Sequence, residues 1–174
     1  MHILGIDPGP VTSGYVHAEF SGERGRVVIH TSHADLKNED IAFILRTWVR
    51  DFRGPYRIAI ESPMAIYSTV GQSTIETIKW TGEFRSLARP HVTEVSPQEV
   101  RLAICGTAQA KDPGVRQALI DRYGPRGTIK KKGQLYAVTK HAWRALAVAV
   151  VVLDREANRN DLTSAPAATT VKSP

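Results

Sequence analysis

Residues 3–9 read Ile3-Leu4-Gly5-Ile6-Asp7-Pro8-Gly9, an apolar run that ends in a carboxylate and turns at once on Pro8-Gly9. Further on, Ile58-Ala59-Ile60-Glu61-Ser62-Pro63 repeats the form: a short apolar run, an acid, a turn. Runs of this length bounded by turn residues read as buried strands. In an open α/β sheet the carboxyl ends of the strands form the ligand-binding edge. If the two strands are neighbours, Asp7 and Glu61 converge at that edge, as a site for Mg²⁺ and phosphate chemistry requires.

Working outward, Thr12 to Phe20 and Arg26 to Thr31 read as two more strands, and the loop from Ser21 to Gly25 between them suggests a hairpin. Asn38 is the expected N-cap of a helix from about Glu39 to Phe52, in which Ile41, Ile44, Leu45, Trp48 and Val49 keep the 3.6-residue period. Gly54-Pro55 stops it, and Arg57 to Glu61 is the fourth strand. Gly71 to Ala88 is helical in pattern and Val92 to Val95 is a fifth strand. Ser96-Pro97-Gln98-Glu99 has the form of a capping box opening the next helix. A polar loop from Gly106 to Gly114, a helix from Val115 to Tyr123, a basic loop from Arg126 to Gly133 and a last helix from Tyr136 to about Glu156 complete the order. The expected fold is a mixed five-stranded α/β sheet, three antiparallel strands followed by parallel additions, flanked by helices.

Length and composition suit one domain. The 174 residues are enough for a single core, the hydrophobic fraction is 42%, and residues 158–174, rich in Thr, Ser, Ala and Pro, read as a flexible tail. Lys plus Arg number 23 against 17 Asp plus Glu, a net charge of +6, which favours a polyanionic partner such as nucleic acid. A single cysteine, Cys105, excludes an internal disulfide and agrees with a reducing cytoplasm. The strand at the very start leaves no room for a signal peptide. The apolar stretch Ala145 to Leu153 is too short to cross a bilayer, so no membrane association is expected. The absence of a Gly-x-Gly-x-x-Gly or Walker-type loop argues against a nucleotide cofactor.

Asp7 alone reads most simply as a turn former, since Asp before Pro-Gly is a common way to leave a strand. Glu61 is harder to dismiss, because glutamate is a poor strand residue. Paired acids at a sheet edge repel unless a cation lies between them, which favours a metal site. His141 and Arg144, three apart at the polar start of the last helix, share a face. They are either the solvent end of a core helix or groups reaching toward Asp7 and Glu61. Lys111, Arg116, Arg126, Lys130, Lys131 and Lys132 form a basic second half, and the lysine run is expected near the site as phosphate contacts or as a solvated face. Trp80 and Trp143 read as core. Met64 and Tyr67, just after Glu61, could wedge between bases or stack on them.

Taken in order, Ile3 to Gly9, Ile58 to Glu61, Ser96-Pro97-Gln98-Glu99-Val100-Arg101 through Gly106 and Lys111, and His141 to Ala147 resemble the RuvC-type Holliday-junction resolvases of the RNase H-like superfamily. The resemblance spans most of residues 2–153 and makes 1–157 the nuclease domain. It implies a homodimeric, Mg²⁺-dependent endonuclease, with Mn²⁺ able to substitute. Such enzymes cut opposed strands of a four-way DNA junction symmetrically, in DNA recombination and repair. It implies Asp7 as bridging metal ligand, Glu61 as second carboxylate, His141 as third ligand and Lys111 as a catalytic lysine near the site that contacts phosphate or stabilises the leaving charge. At Met64 members of the family carry a base-contacting aromatic.

Arg144 departs from the pattern, since the family places an acid there. Two metals bring about four positive charges some 3.5–4 Å apart. Asp7 and Glu61 with Arg144 supply a net of about −1, and no neighbouring acid in the sequence replaces the fourth ligand; Asp154 lies far round the helix. Three readings follow: a junction binder that cuts slowly or not at all, a one-metal enzyme with Arg144 as a fixed cation, or an introduced replacement. An RNase H-like nuclease on RNA–DNA hybrid keeps the fold and changes the substrate. An actin-like kinase shares the Asp-x-Gly strand start but needs a longer, two-lobed chain.

Overall fold

The structure, a computed structural model, describes residues 1–21, 26–63 and 71–164, the last five of these as backbone only. Its elements run β1 His2–Asp7, β2 Thr12–Phe20, β3 Val27–Lys37, α1 Asn38–Asp51, β4 Tyr56–Glu61, α2 Gln72–Ala88, β5 Val92–Val95, α3 Pro97–Cys105, α4 Asp112–Tyr123 and α5 Ala142–Ser164. The strands form one sheet in the order β3-β2-β1-β4-β5. β1–β2 and β2–β3 pair antiparallel, while β1–β4 and β4–β5 pair parallel, which is the mixed sheet expected from the sequence.

Strand alternation divides the chain into two layers. Ile3, Val16, Ala18 and Ala59 face α3, α4 and α5, whereas Leu4, Ile6, Ile58 and Ile60 face α1 and α2. By the same parity Asp7 and Glu61 both lie on the α5 side. α5 is buried through Ala142, Trp143 and the run Ala145 to Val152, because it runs between the sheet and the α3–α4 layer. Two glycines let it come that close. A Cβ on Gly5 would collide with the backbone carbonyl of Ala145, and one on Gly14 would sit 2.5 Å from the carbonyl oxygen of His141.

The structure corrects several boundaries. β3 continues to Lys37 rather than ending at Thr31; it is an edge strand with alternating exposure, where polar residues such as Ser32 and His33 are tolerated. α4 begins at Asp112, not Val115, with Pro113 in its first turn, where a missing N–H costs nothing. α5 begins at Ala142 rather than Tyr136, because residues 134–141 are turns in which Leu135 and Val138 are buried and Lys140 takes a positive φ of 41°. The helix then runs on to Ser164, seven residues into the expected tail; residues 165–174 lie outside the described residues.

Asn38 does not cap α1. Lys37 holds that position, and Asn38 is fully buried. Its Oδ1 accepts from Ser13 Oγ at 2.6 Å and its Nδ2 donates to the Gly9 carbonyl at 3.0 Å, while Gly9 N–H donates to Ser13 Oγ at 3.1 Å. The side chain ties down the turn that follows Asp7 instead of a helix end. At α3 the expected capping box is present: Glu99 N–H donates to Ser96 Oγ at 3.2 Å and Ser96 N–H to Glu99 Oε2 at 2.7 Å. Trp143 is core, as expected, and Trp80 is partly buried against Phe84. Among the described residues no helix is long and apolar enough to cross a membrane.

Candidate active site

Parallel pairing of β1 with β4 sets Ile6 beside Ile60, so the next residue of each strand, Asp7 and Glu61, emerges at the same sheet edge. Both acids are nearly buried, at 8% and 7% exposure. Burial is the main reason that both carboxyls are harder to ionise than usual; they also share a hydrogen bond, and Glu61 is pushed up to about 8. Burial therefore opposes two full negative charges on the pair.

The start of α5 closes the site. The His141 carbonyl accepts from the N–H groups of Arg144 and Ala145 at 3.1 and 3.3 Å, so His141 caps the helix rather than lying within it. Its Nδ1 is 3.7 Å from Asp7 Oδ2, and its side chain is 63% exposed. Arg144 stands 3.7 Å from Glu61 Oε2 and 3.4 Å from Asp112 Oδ2. The structure thus brings Asp7, Glu61, His141 and Arg144 together.

Asp112 is the residue missed in the sequence. It opens α4 beside the site, and its charge adds to the upward pressure on Asp7 and Glu61. With it, and with both site carboxyls ionised, the local charge is three carboxylates less one guanidinium, or −2, in place of the −1 counted without it. The signal was present in Asp112-Pro113: an acid followed by Pro is a common helix start. Asp154, by contrast, is held by Arg122, whose two terminal nitrogens each donate at 2.7 Å, at the other end of α4 and away from the site as expected.

Beside the acids a groove of about 720 Å³ runs between α3, α4 and α5. Arg116 lines it with its guanidinium 5.1 Å from the centre of the Trp143 ring. Lys111 is exposed at the residue preceding α4, next to Asp112. Lys130, Lys131 and Lys132 are exposed on the loop that follows α4. Their loop is anchored by Gln134, which accepts from Val27 N–H at 2.8 Å and donates to the Tyr123 carbonyl at 3.1 Å. Val27 pairs with Phe20, at the end of the sheet where β1 begins, so the loop is anchored a strand length from Asp7. α4 carries the chain from Lys111, beside the acids, to this anchor. Arg126 donates to the Tyr136 carbonyl at 2.9 Å and holds this loop. Met64 and Tyr67 lie outside the described residues.

No protein-family model matches the chain, and no curated protein does. Solved structures do. Thermus thermophilus RuvC superposes with a TM-score of 0.68 at 19% identity, over 91% of this chain and 97% of that one. The T. thermophilus RuvC in complex with Holliday junction substrate gives 0.63 at 18% identity, over 87% and 92%. A yeast mitochondrial Holliday junction resolvase gives 0.60 at 15% identity, over 91% and 82%. The chain therefore has the RuvC form of the RNase H-like fold.

Proposed function

We propose that the chain is a RuvC-type, structure-selective endonuclease that resolves four-way DNA junctions by metal-dependent phosphodiester hydrolysis, acting as a homodimer. The observation that supports it best is the buried Asp7–Glu61 pair at one sheet edge of this fold, with His141 beside it. Two carboxyls and an imidazole are a donor set suited to Mg²⁺ or Mn²⁺. A net charge of −2 suits one divalent cation, so Asp7, Glu61 and His141 are the expected ligands. Such a cation, when bound, supplies Lewis-acid activation of water and stabilises the charge that develops on phosphate.

The chain's own groups do the rest. Arg144, between Glu61 and Asp112, is a fixed cation where the family places an acid; its planar fork can pair with a phosphate oxygen without a second metal. Glu61 holds a proton at neutral pH and releases it as positive charge arrives. Lys111 and Arg116 flank the groove and can hold the backbone of an incoming strand. Two symmetric cuts need two sites, for which a two-fold dimer is the common solution. The exposed apolar side chains Phe43, Ile75 and Ile78 on the α1–α2 layer, away from the groove, are consistent with such an interface.

The decisive experiment is cleavage of a labelled four-way junction in Mg²⁺ and in Mn²⁺, for this chain and for Arg144→Asp. Cutting by both supports a one-metal resolvase with Arg144 as a working part. Cutting by Arg144→Asp alone marks this chain as an inactive member of the fold. The second reading, a junction-binding module, is favoured by the Arg144–Glu61 contact, which places a cation against a metal ligand. It predicts that neither protein cuts and that both grip junctions in EDTA. Cleavage of RNA–DNA hybrid in preference to junctions would move the assignment to an RNase H-like activity.

A further inference from the structure

At the other end of β1, on the opposite face of the sheet, three histidines meet. We propose that His2, His17 and His30 form a second metal centre, for a Zn²⁺-class transition ion, that clips β1, β2 and β3 together and leaves one coordination position to water. One ring nitrogen from each residue lies within 4.8 Å of the other two. His2 Nδ1 and His17 Nε2 are 3.1 Å apart. Tetrahedral Zn²⁺ with bonds of about 2.0–2.1 Å holds its ligand atoms about 3.4 Å from one another, close to the His2–His17 separation, and reorienting the His30 ring off its stack completes the set.

The backbone arranges this convergence. His2 and His17 point to the α1 side by strand parity, alternating with Ile3, Val16 and Ala18 on the α5 side. His17 pairs with Thr31 and Ala18 with Ile29, so His30 is the extra residue of a β-bulge. A bulge re-aims a side chain, and here it stacks the His30 ring on His17 at 4.6 Å between centres. Trp48 of α1 and Phe52, the residue that ends it, wall the cluster, 4.7 Å from the His17 ring and 5.0 Å from the His2 ring. Glu19 Oε2 lies 3.0 Å from His30 Nε2, the arrangement in which a carboxylate orients a metal-bound histidine through its other nitrogen.

Protonation favours the same use. Burial keeps His2 and His17 below the ordinary histidine range, His17 at about 4, so these rings are in the neutral, ligating form at neutral pH. The hydrogen bond from His30 keeps the Glu19 carboxyl below its ordinary range, and so ionised. A plain aromatic stack explains the ring contacts but not the meeting of three nitrogens. Imidazoles select Zn²⁺, Co²⁺ or Ni²⁺ over Mg²⁺, so the two centres take different ions.

The test uses the full chain without a histidine tag, stripped of metal and titrated calorimetrically with Zn²⁺. An Asp7→Asn, Glu61→Gln background removes the carboxylate site. One Zn²⁺ should still bind there with a Kd below about 10 μM, and its melting temperature should rise with Zn²⁺ but not with Mg²⁺. His30→Gln, at a half-exposed position that leaves the core intact, should weaken Zn²⁺ at least about tenfold, the scale on which even outer partners of ligands act. Glu19→Gln should weaken it less. Absence of binding in the Asp7→Asn, Glu61→Gln background would overturn the proposal. Unchanged Zn²⁺ affinity in folded His30→Gln would do the same.

Discussion

At the end of β1, Asp7 and Glu61 are buried acids whose ionisation is opposed; at its start, His2 and His17 are partly buried bases held toward the neutral form. Some 17 Å of strand separates them, about five residues at 3.3–3.4 Å each. Burial acts alike on both, disfavouring charge, but the pairing differs. The acids sit on parallel neighbours, whose ends align at one edge and open on a groove. The histidines sit across antiparallel strands, where residues distant in sequence lie side by side against an aromatic wall. Parallel pairing makes an open site for substrate; antiparallel pairing makes a clip within the fold.

The largest effects belong to the acidic end. Asp7→Asn should lower junction cleavage at least about 100-fold, the scale of losing one group that stabilises transition-state charge, with junction affinity in EDTA little changed. Equal loss of binding and cleavage would remove the metal role from Asp7 and blur the contrast between the two ends. Gly5 lies midway along β1 and separates them in another way. Gly5→Ala must push α5 away from the sheet, at a cost of about 3 kcal/mol in urea unfolding, and with it His141 and Arg144. Gly82→Ala in α2, where a Cβ meets nothing within 4 Å, should instead stabilise by about 0.5–1 kcal/mol. Cleavage should fall in the first and persist in the second.

The pH dependence of stability should have opposite signs at the two ends. Glu61, at about 8 when folded, holds a proton that the unfolded chain releases near its ordinary carboxyl value. Its contribution is therefore lost as pH rises through that window. Asp7 and Asp112 deepen this loss and Arg144 moderates it. His17, at about 4, is neutral when folded while the unfolded chain protonates near 6.5, so stability falls as pH drops below about 6.5. Glu61→Gln should flatten the alkaline side of a melting-temperature profile and leave the acid side in place. A profile unchanged on the alkaline side would mean that Glu61 is already ionised.

Much of the acidic end was legible in the chain. An apolar run that stops on an acid marks both a strand and its ligand-bearing end, so β1, β4, Asp7 and Glu61 read directly. The capping box at Ser96 is equally local. Asp112 was hidden because Pro113 and Gly114 made the first turn of α4 look like loop. Asn38 has the form of a cap, and nothing local says that its partners are Ser13 and Gly9 of another turn. His2, His17 and His30 carry no motif at all: the register of two antiparallel pairs and a bulge bring them together. Sequence shows what one element does by itself, and long-range pairing decides the remainder.

The smallest expected effect concerns the lysine run, which lies at the histidine end of the sheet. Changing Lys130, Lys131 and Lys132 to Gln should reduce the slope of log K against log salt by at most about 3 units, near 0.9 for each phosphate no longer neutralised. Cleavage in saturating Mg²⁺ should not change, because their loop is anchored a strand length from Asp7. Arg116→Gln, beside the acids, removes a single charge and so at most about one unit of slope, yet it should slow cleavage as well as weaken binding. That pairing separates a group that only holds an arm of the junction from one that positions the scissile strand. If the lysine variant slows cleavage at saturating DNA, the end of the sheet where β1 begins takes part in the chemistry, and the division of labour along β1 does not hold.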